Sequence, residues 1–212
     1  MSTRLWLVVV GYLLGSIPFG LLIARTSQGV DVRRVGSGNI GATNVLRAAG
    51  KGAAALTLVL DMLKGWAPVA LTRSLGEPDA LVAAVGLAAF LGHLYPIFLG
   101  LRGGKGVATL LGVLLALNVK AAVAVAAAWL LTAALIRYSS VAALVACATS
   151  PVLVWLVDGR PLYIALVVVL AGFVVVRHRE NVRRLMAGEE SRIGRGVNVA
   201  GTDMPRRDDM GL

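Results

Sequence analysis

Gly104-Lys-Gly-Val-Ala-Thr-Leu-Leu-Gly-Val-Leu-Leu-Ala-Leu-Asn118-Val-Lys120-Ala-Ala-Val-Ala-Val-Ala-Ala-Ala-Trp-Leu-Leu-Thr-Ala-Ala-Leu-Ile136 is the stretch whose reading decides the fold. As one helix it would be about 50 Å long, well beyond a bilayer core of about 30 Å. Split at Asn118-Val-Lys120, it gives two short spans. Charge favours the split. With two spans, Arg137 and the basic C-terminal segment return to the side of the first cationic loop, as the positive-inside rule requires. The rest of the chain reads in the same terms. It has 212 residues, 58% of them hydrophobic, and a mean hydropathy of +0.80, with apolar runs near 20 residues. That composition describes a polytopic all-α membrane protein.

The expected spans run from about Leu5 to Ala24, Ala53 to Thr72, Asp79 to Leu99, the two halves of 104–136, Val141 to Val157, and Leu162 to Val176. This makes seven transmembrane helices, with the N-terminus outside and the C-terminus cytoplasmic. The first run is too long for a signal-peptide core and has no small-residue cleavage site before Arg25, so it reads as a retained span. Residues 1–195 form one transmembrane domain, and 196–212 read as a disordered cytoplasmic tail. The net charge of +10 lies between and after the apolar runs. That placement excludes a nucleic-acid partner and fits membrane lipid. Cys147 has no second cysteine to pair with and reads as a small core residue.

Four polar segments fall on one side in this topology: 36–47, 102–109, 137–140 and 177–190. The first, Gly36-Ser-Gly-Asn-Ile-Gly-Ala-Thr-Asn-Val-Leu-Arg47, is glycine-rich and carries short hydrogen bonders. Gly36, Gly38 and Gly41 permit positive φ and close amide approach, while Arg47 supplies a planar fork for phosphate. The loop containing it, from Arg25 to Lys51, holds five cations against Asp31. The second segment, Arg102-Gly-Gly-Lys105-Gly-Val-Ala-Thr109, opens a helix, where amides and dipole favour an anion. Gly36-x-Gly38-x-x-Gly41 matches a dinucleotide fingerprint only in letters, because no βαβ unit surrounds it. Gly103 to Gly106 fails the nucleotide P-loop pattern, with Gly106 where Ser or Thr should stand. No His/Cys cluster calls for a metal, and no cofactor is indicated.

Asp61 and Lys64 share a helical face about 14 Å inside the second span, where charge is costly unless paired. A structural ion pair and a site role both remain open there. His93 reads either as a packed, hydrogen-bonded residue or as a ligand.

Seven segments are together similar to one family. They are Gly15-Ser-Ile-Pro-Phe-Gly20, the 36–47 segment, Asp61-Met-Leu-Lys-Gly65, Gly92-His-Leu-Tyr-Pro96, the 102–109 segment, Arg137-Tyr-Ser-Ser140 and Arg177-His-Arg-Glu-Asn-Val-Arg-Arg-Leu185. In this order they resemble the acyl-phosphate-dependent glycerol-3-phosphate acyltransferases of bacterial membranes, the PlsY family. The resemblance covers about residues 5 to 195. It implies an inner-membrane enzyme with a cytoplasmic active site, acting in phospholipid biosynthesis. Such an enzyme moves a fatty acyl group from acyl phosphate to the 1-hydroxyl of sn-glycerol 3-phosphate, giving lysophosphatidic acid and phosphate. It also implies a separate peripheral phosphate acyltransferase that supplies the donor.

By motif position, Ser37, Arg47, Lys105, His178 and Asn181 are the implied catalytic residues. Of these, Ser37, Arg47, Lys105 and His178 would hold glycerol phosphate. Gly103, Gly104, Lys105, Gly106, Thr43, Asn44 and Asn181 would hold the donor phosphate or polarise its carbonyl. Gly36, Gly38, Asn39, Gly41, Thr109, Ser139 and Ser140 complete the implied substrate site. The proton acceptor is either His178 or a substrate phosphate. Ser37 is either a positioning group or a nucleophile, with no base beside it in sequence. Glu180 and Glu189 are expected to orient the arginines of their segment. A transporter or flippase of phosphorylated metabolites is the alternative from another class. It lacks a second polar cluster at the opposite face and any internal repeat. A lipid-binding scaffold leaves the glycine-rich turns unexplained.

Overall fold

The structure, a computed structural model, describes residues 4–193. The expected tail at 196–212 lies outside the described residues. Among those described there is no β-strand. The helices are α1 (Trp6–Gly15), α2 (Phe19–Gln28), α3 (Ala42–Ser74), α4 (Asp79–Leu94), α5 (Val107–Leu117), α6 (Val119–Ile136), α7 (Ser139–Val157), α8 (Pro161–Arg177) and α9 (Arg179–Met186).

The break within 104–136 falls where the sequence places it. Asn118 ends α5 and caps α6, its side-chain oxygen accepting from the Ala121 amide at 3.2 Å. Its amide nitrogen donates to Asp158 at 3.0 Å, tying the break to the α7–α8 turn. Arg73, at the end of α3, donates to the carbonyls of Ala116 and Leu117, closing the C-terminus of α5.

Five segments are apolar and long enough to cross a bilayer: Trp6–Gln28, Ala42–Ser74, Asp79–Leu99, Val119–Ile136 and Ser139–Val157. A sixth forms if α8 and α9, bent by 50°, are taken together. At 11 residues α5 is only about 16 Å long. The first segment is divided at Ser16–Pro18, since Pro18 has no N–H to continue α1. The first polar loop is shorter than its composition suggests. Residues 42–49 are helical, and Gly50, at φ 84°, marks a kink inside α3. Two glycines, Gly36 (φ 56°) and Gly38 (φ 68°), take the left-handed conformation, whereas Gly41 precedes α3 in extended backbone at φ −77°.

α3 packs against α1, α2, α4 and α5, and α4 and α5 join this half to α6–α8. Small residues let backbones touch at these contacts. A methyl group on Gly15 would lie 2.0 Å from the Ala89 carbonyl, and one on Gly112 would lie 2.0 Å from that of Met62. This is how helices associate without a hydrophobic gradient between them and lipid. The outward faces are apolar as well. On α6, Leu130, Leu131 and Leu135 are exposed and only Ala121, Ala122 and Val125 are buried. Cys147 is buried in α7, as its apolar setting suggests.

Gly112→Ala is expected to destabilise the protein by about 1–3 kcal/mol, because the added methyl meets only backbone. Gly172→Ala, with nothing within 4 Å, is expected to be neutral or stabilising. Thermal unfolding of both variants in one detergent separates them; equal midpoints would contradict the α3–α5 contact.

Candidate active site

The four polar segments converge at one end of the bundle. Thr43, at the start of α3, and Ser139, at the start of α7, share a hydrogen bond at 3.0 Å. Lys105 Nζ donates to Asn181 Oδ1 across 76 residues of chain. Arg177 donates to the carbonyls of Gly103 at 2.8 Å and Gly104 at 3.1 Å. The end of the described chain returns to the α6–α7 turn, where the Ile193 amide donates to the Arg137 carbonyl at 2.7 Å.

The first loop is built around Asn44, which is buried. Its Oδ1 accepts from the Ser37 amide at 3.1 Å, and its Nδ2 donates to the carbonyls of Val32 and Val35 at 2.8 and 3.0 Å. Asn44 therefore shapes the loop and holds its amide for that purpose. Ser37 and Gly36 are left exposed above it, with Gly38 and Asn39 half-buried. Arg47 lies half-buried along Gly36. Asp31 accepts from the Arg33 side chain and amide and from Arg25, and these hydrogen bonds, that of the Arg33 side chain foremost, hold its carboxyl well below the usual range.

The second loop differs from a free anion nest. The Gly103 and Gly104 amides are already taken by the carbonyls of Leu94 and His93, both at 3.0 Å. Among the described residues, the amides of Lys105, Gly106, Val107 and Ala108 donate to no backbone carbonyl. Gly106 adopts φ 89° and opens α5, so these donors stand at a helix N-terminus. Thr109 sits deeper, buried against Gly65 of α3.

Three residues outside the implied set, Glu190, Arg184 and Arg177, organise the third wall. Glu190 accepts from Asn181 at 2.7 Å and Arg184 at 2.8 Å. Burial pushes its carboxyl up, but these donors outweigh that and leave it below its ordinary value. Ser140 Oγ lies beside Glu190 without a well-formed hydrogen bond. The expectation for Glu189 thus belongs to its neighbour, since Arg184 is held by Glu190. Glu180 pairs with Arg179 and Arg183 of its segment, as expected, though on the surface. Sequence offers two adjacent glutamates and no periodicity beyond α9 to choose between them. Arg177 was legible as a cation, but its hold on Gly103 and Gly104 depends on the fold. His178 stands at the bend between α8 and α9, buried, with Nδ1 2.8 Å from the Val174 carbonyl. A carbonyl only accepts, so Nδ1 carries the hydrogen and Nε2 remains the open face.

Lys105 lies in the loop before α5, outside the helices. Burial first, then the charges of Arg184, Arg177 and Arg47, pull its ammonium down to about 8, against the pull of Glu190. Three arginines and Lys105 thus stand within electrostatic reach of one another with a single carboxylate to offset them, an excess that suits a dianionic ligand. Beside this cluster an open cavity of about 630 Å³ runs between the two glycine-rich loops. It is lined by Gly38 and Ile40 on one side and by Leu99 and Gly103 on the other, with Arg34 and Arg102 at hand.

Residues 5–188 match the family described as glycerol-3-phosphate acyltransferase. The glycerol-3-phosphate acyltransferase of Nitrobacter winogradskyi is 55% identical over 184 residues, covering 87% of this chain and 93% of the relative. That of Geobacter sulfurreducens is 51% identical, covering 91% and 98%. The crystal structure of PlsY (YgiH), an integral membrane glycerol 3-phosphate acyltransferase in its glycerol 3-phosphate form, superposes with a TM-score of 0.86 at 42% identity. That superposition covers 91% of this chain and 96% of the other. The lysophosphatidic acid form gives 0.84 at 41%.

Anion affinity is expected to hold below about pH 8, where Lys105 is charged, and to fall roughly tenfold as pH rises through that value. Sulfate is the suitable probe, since it does not titrate in this range. Lys105→Arg is expected to keep its affinity to higher pH; an identical decline in that variant would locate the titration elsewhere.

Proposed function

The chain belongs to the glycerol-3-phosphate acyltransferase family, and on that premise we propose that it transfers a fatty acyl group from acyl phosphate to the 1-hydroxyl of sn-glycerol 3-phosphate. It is a membrane-integral acyltransferase. The observation that supports the donor and the site is the excess of positive charge at Lys105, where Arg184, Arg177 and Arg47 act against the one carboxylate of Glu190, which Arg184 holds. It stands next to a helix N-terminus whose amides are unengaged. Both reactants carry phosphate, and the site offers one cationic wall and one amide wall.

Glycerol phosphate is assigned to Ser37, Arg47, Lys105 and His178. The donor phosphate is assigned to the amides of residues 105–108. Asn181, with both polar atoms engaged by Lys105 and Glu190, fixes the ammonium in place. The hydroxyl oxygen attacks the acyl carbonyl carbon, the carbon–oxygen bond to phosphate breaks, and inorganic phosphate leaves. The hydroxyl proton passes to a phosphate oxygen of a substrate. His178, whose Nε2 is open, is the less suited acceptor, because among the described residues no carboxylate hydrogen-bonds its ring to stabilise the imidazolium. An acyl phosphate is already activated, so alignment and charge stabilisation supply most of the acceleration. Ser37 positions substrate rather than forming an acyl intermediate, since its loop contacts include no base.

For topology, we count the five long segments, α8 and the short α5 as seven spans, with α9 lying past the last. The cationic ends at 25–51, 102–105, 137 and 177–184 then share one side, which the positive-inside rule makes cytoplasmic. In this reading the N-terminus lies outside, the membrane is the bacterial inner membrane, and a peripheral phosphate acyltransferase supplies the donor on the cytoplasmic side. Residues to about 195 form the one catalytic domain.

Purified protein given palmitoyl phosphate and glycerol 3-phosphate is expected to release phosphate, and palmitoyl-CoA is expected to give none. Arg47→Ala and Lys105→Ala should each lose about 10²–10³ in kcat/KM. Full turnover in both variants would remove the assigned phosphate site while leaving the enzyme.

A further inference from the structure

Three titratable groups lie buried in the helices beneath the site and take no part in the chemistry above. Asp61 and Lys64 of α3 and His93 of α4 are 2%, 5% and 3% exposed. Lys64 Nζ lies 2.7 Å from Asp61 Oδ1, and His93 Nδ1 lies 3.7 Å from the same oxygen. None of the three lines the cavity between the loops. A buried ion pair is weak evidence for stability, because desolvation offsets most of the attraction. Its other contacts show what it does.

Lys64 makes a second bond, donating to the Ile17 carbonyl at 2.8 Å, and its ammonium stands 5.8 Å from the Phe19 ring centre. Ile17 lies in the break between α1 and α2, where Pro18 interrupts the helical pattern. Three residues on, Gly20 packs directly on the first glycine-rich loop, where a methyl group would come 1.9 Å from the Ile40 carbonyl. On the other side, the His93 carbonyl accepts the Gly104 amide at 3.0 Å. The His93 ring lies flush on Gly104, where a methyl group would come 2.1 Å from Nε2. Lys105 is the next residue. The buried trio therefore touches the supports of both glycine-rich loops at once.

We propose that Asp61, Lys64 and His93 form a buried positioning node that fixes the 36–41 and 103–106 loops relative to each other, and so aligns the two reactants without touching either. The node rests on the assignment of those loops to the substrates. It acts on the transfer step through alignment, where a displacement of about 1 Å costs on the order of a hundredfold.

The test exchanges the charges, Asp61→Lys with Lys64→Asp. The exchange restores an ion pair, but a carboxylate at 64 cannot donate to the Ile17 carbonyl. Full-length protein in lipid is assayed with palmitoyl phosphate and glycerol 3-phosphate, and folded protein is quantified by its unfolding midpoint. The expected result is a midpoint near wild type with kcat per folded enzyme down tenfold or more, and a smaller change in KM. Wild-type kcat in the exchange variant would overturn the node and leave a plain structural pair. If the exchange variant does not fold, His93→Ala decides, since it keeps the ion pair; the same fall in kcat is expected, and an unchanged kcat overturns the proposal. A wild-type protein silent with acyl phosphate would instead overturn the functional assignment on which the node rests.

Discussion

An extended loop at the end of a membrane helix must satisfy its backbone from its own surroundings, and residues 103–104 meet that demand on both edges. Their amides bond the last carbonyls of α4, and their carbonyls accept from the Arg177 guanidinium. Arg177 also stands 5.9 Å from the Tyr95 ring centre, so one side chain joins α8, the α4 turn and the loop. With both edges occupied, only the following amides, from Lys105 onward, are left open for a ligand. The rest of the site is arranged around that fixed strip: Lys105 leaves it sideways to Asn181, and α5 leaves it inward toward Gly65.

Charge is managed by contrast between two levels. At the mouth, cations outnumber carboxylates, and Glu190 restrains two of the donors while its neighbours stay available. Beneath, the charges at Asp61 and Lys64 cancel within one helical turn. The first arrangement suits an anionic visitor, and the second suits permanent burial. Placing a neutral pair under a positive rim keeps the attraction at the surface where ligands arrive.

Much of this was legible in the sequence, for definite reasons. Asn118 could be read as a break because a polar residue interrupts a run too long for one span. The four polar segments could be grouped because cations report their side of the membrane. The family resemblance then named the residues, and the fold brings Arg47, Lys105, His178 and Asn181 to one end of the bundle. Other features depend on distance in space. Asn44 looks like a ligand in sequence, yet its amide is used to shape the loop. Glu190 lies beyond the last motif, and only the return of the chain toward Arg137 gives it a place. The helix at 42–49 was hidden by the glycines that flank it, Gly41 and Gly50, and by Thr43, Asn44 and Arg47, a composition that resembles that of a loop.

The glycine contacts have a mechanical consequence. Where Gly15 meets Ala89 and Gly112 meets Met62, helix backbones are in touch, with no layer of side chains between them. Side chains can change rotamer to let one helix slip past another; carbonyls and Cα atoms cannot. These pairs act as close joints that resist sliding of α1 on α4 and of α3 on α5. The frame that carries the two glycine-rich loops is thereby held backbone to backbone, and rotamer changes in its side chains leave those joints in place.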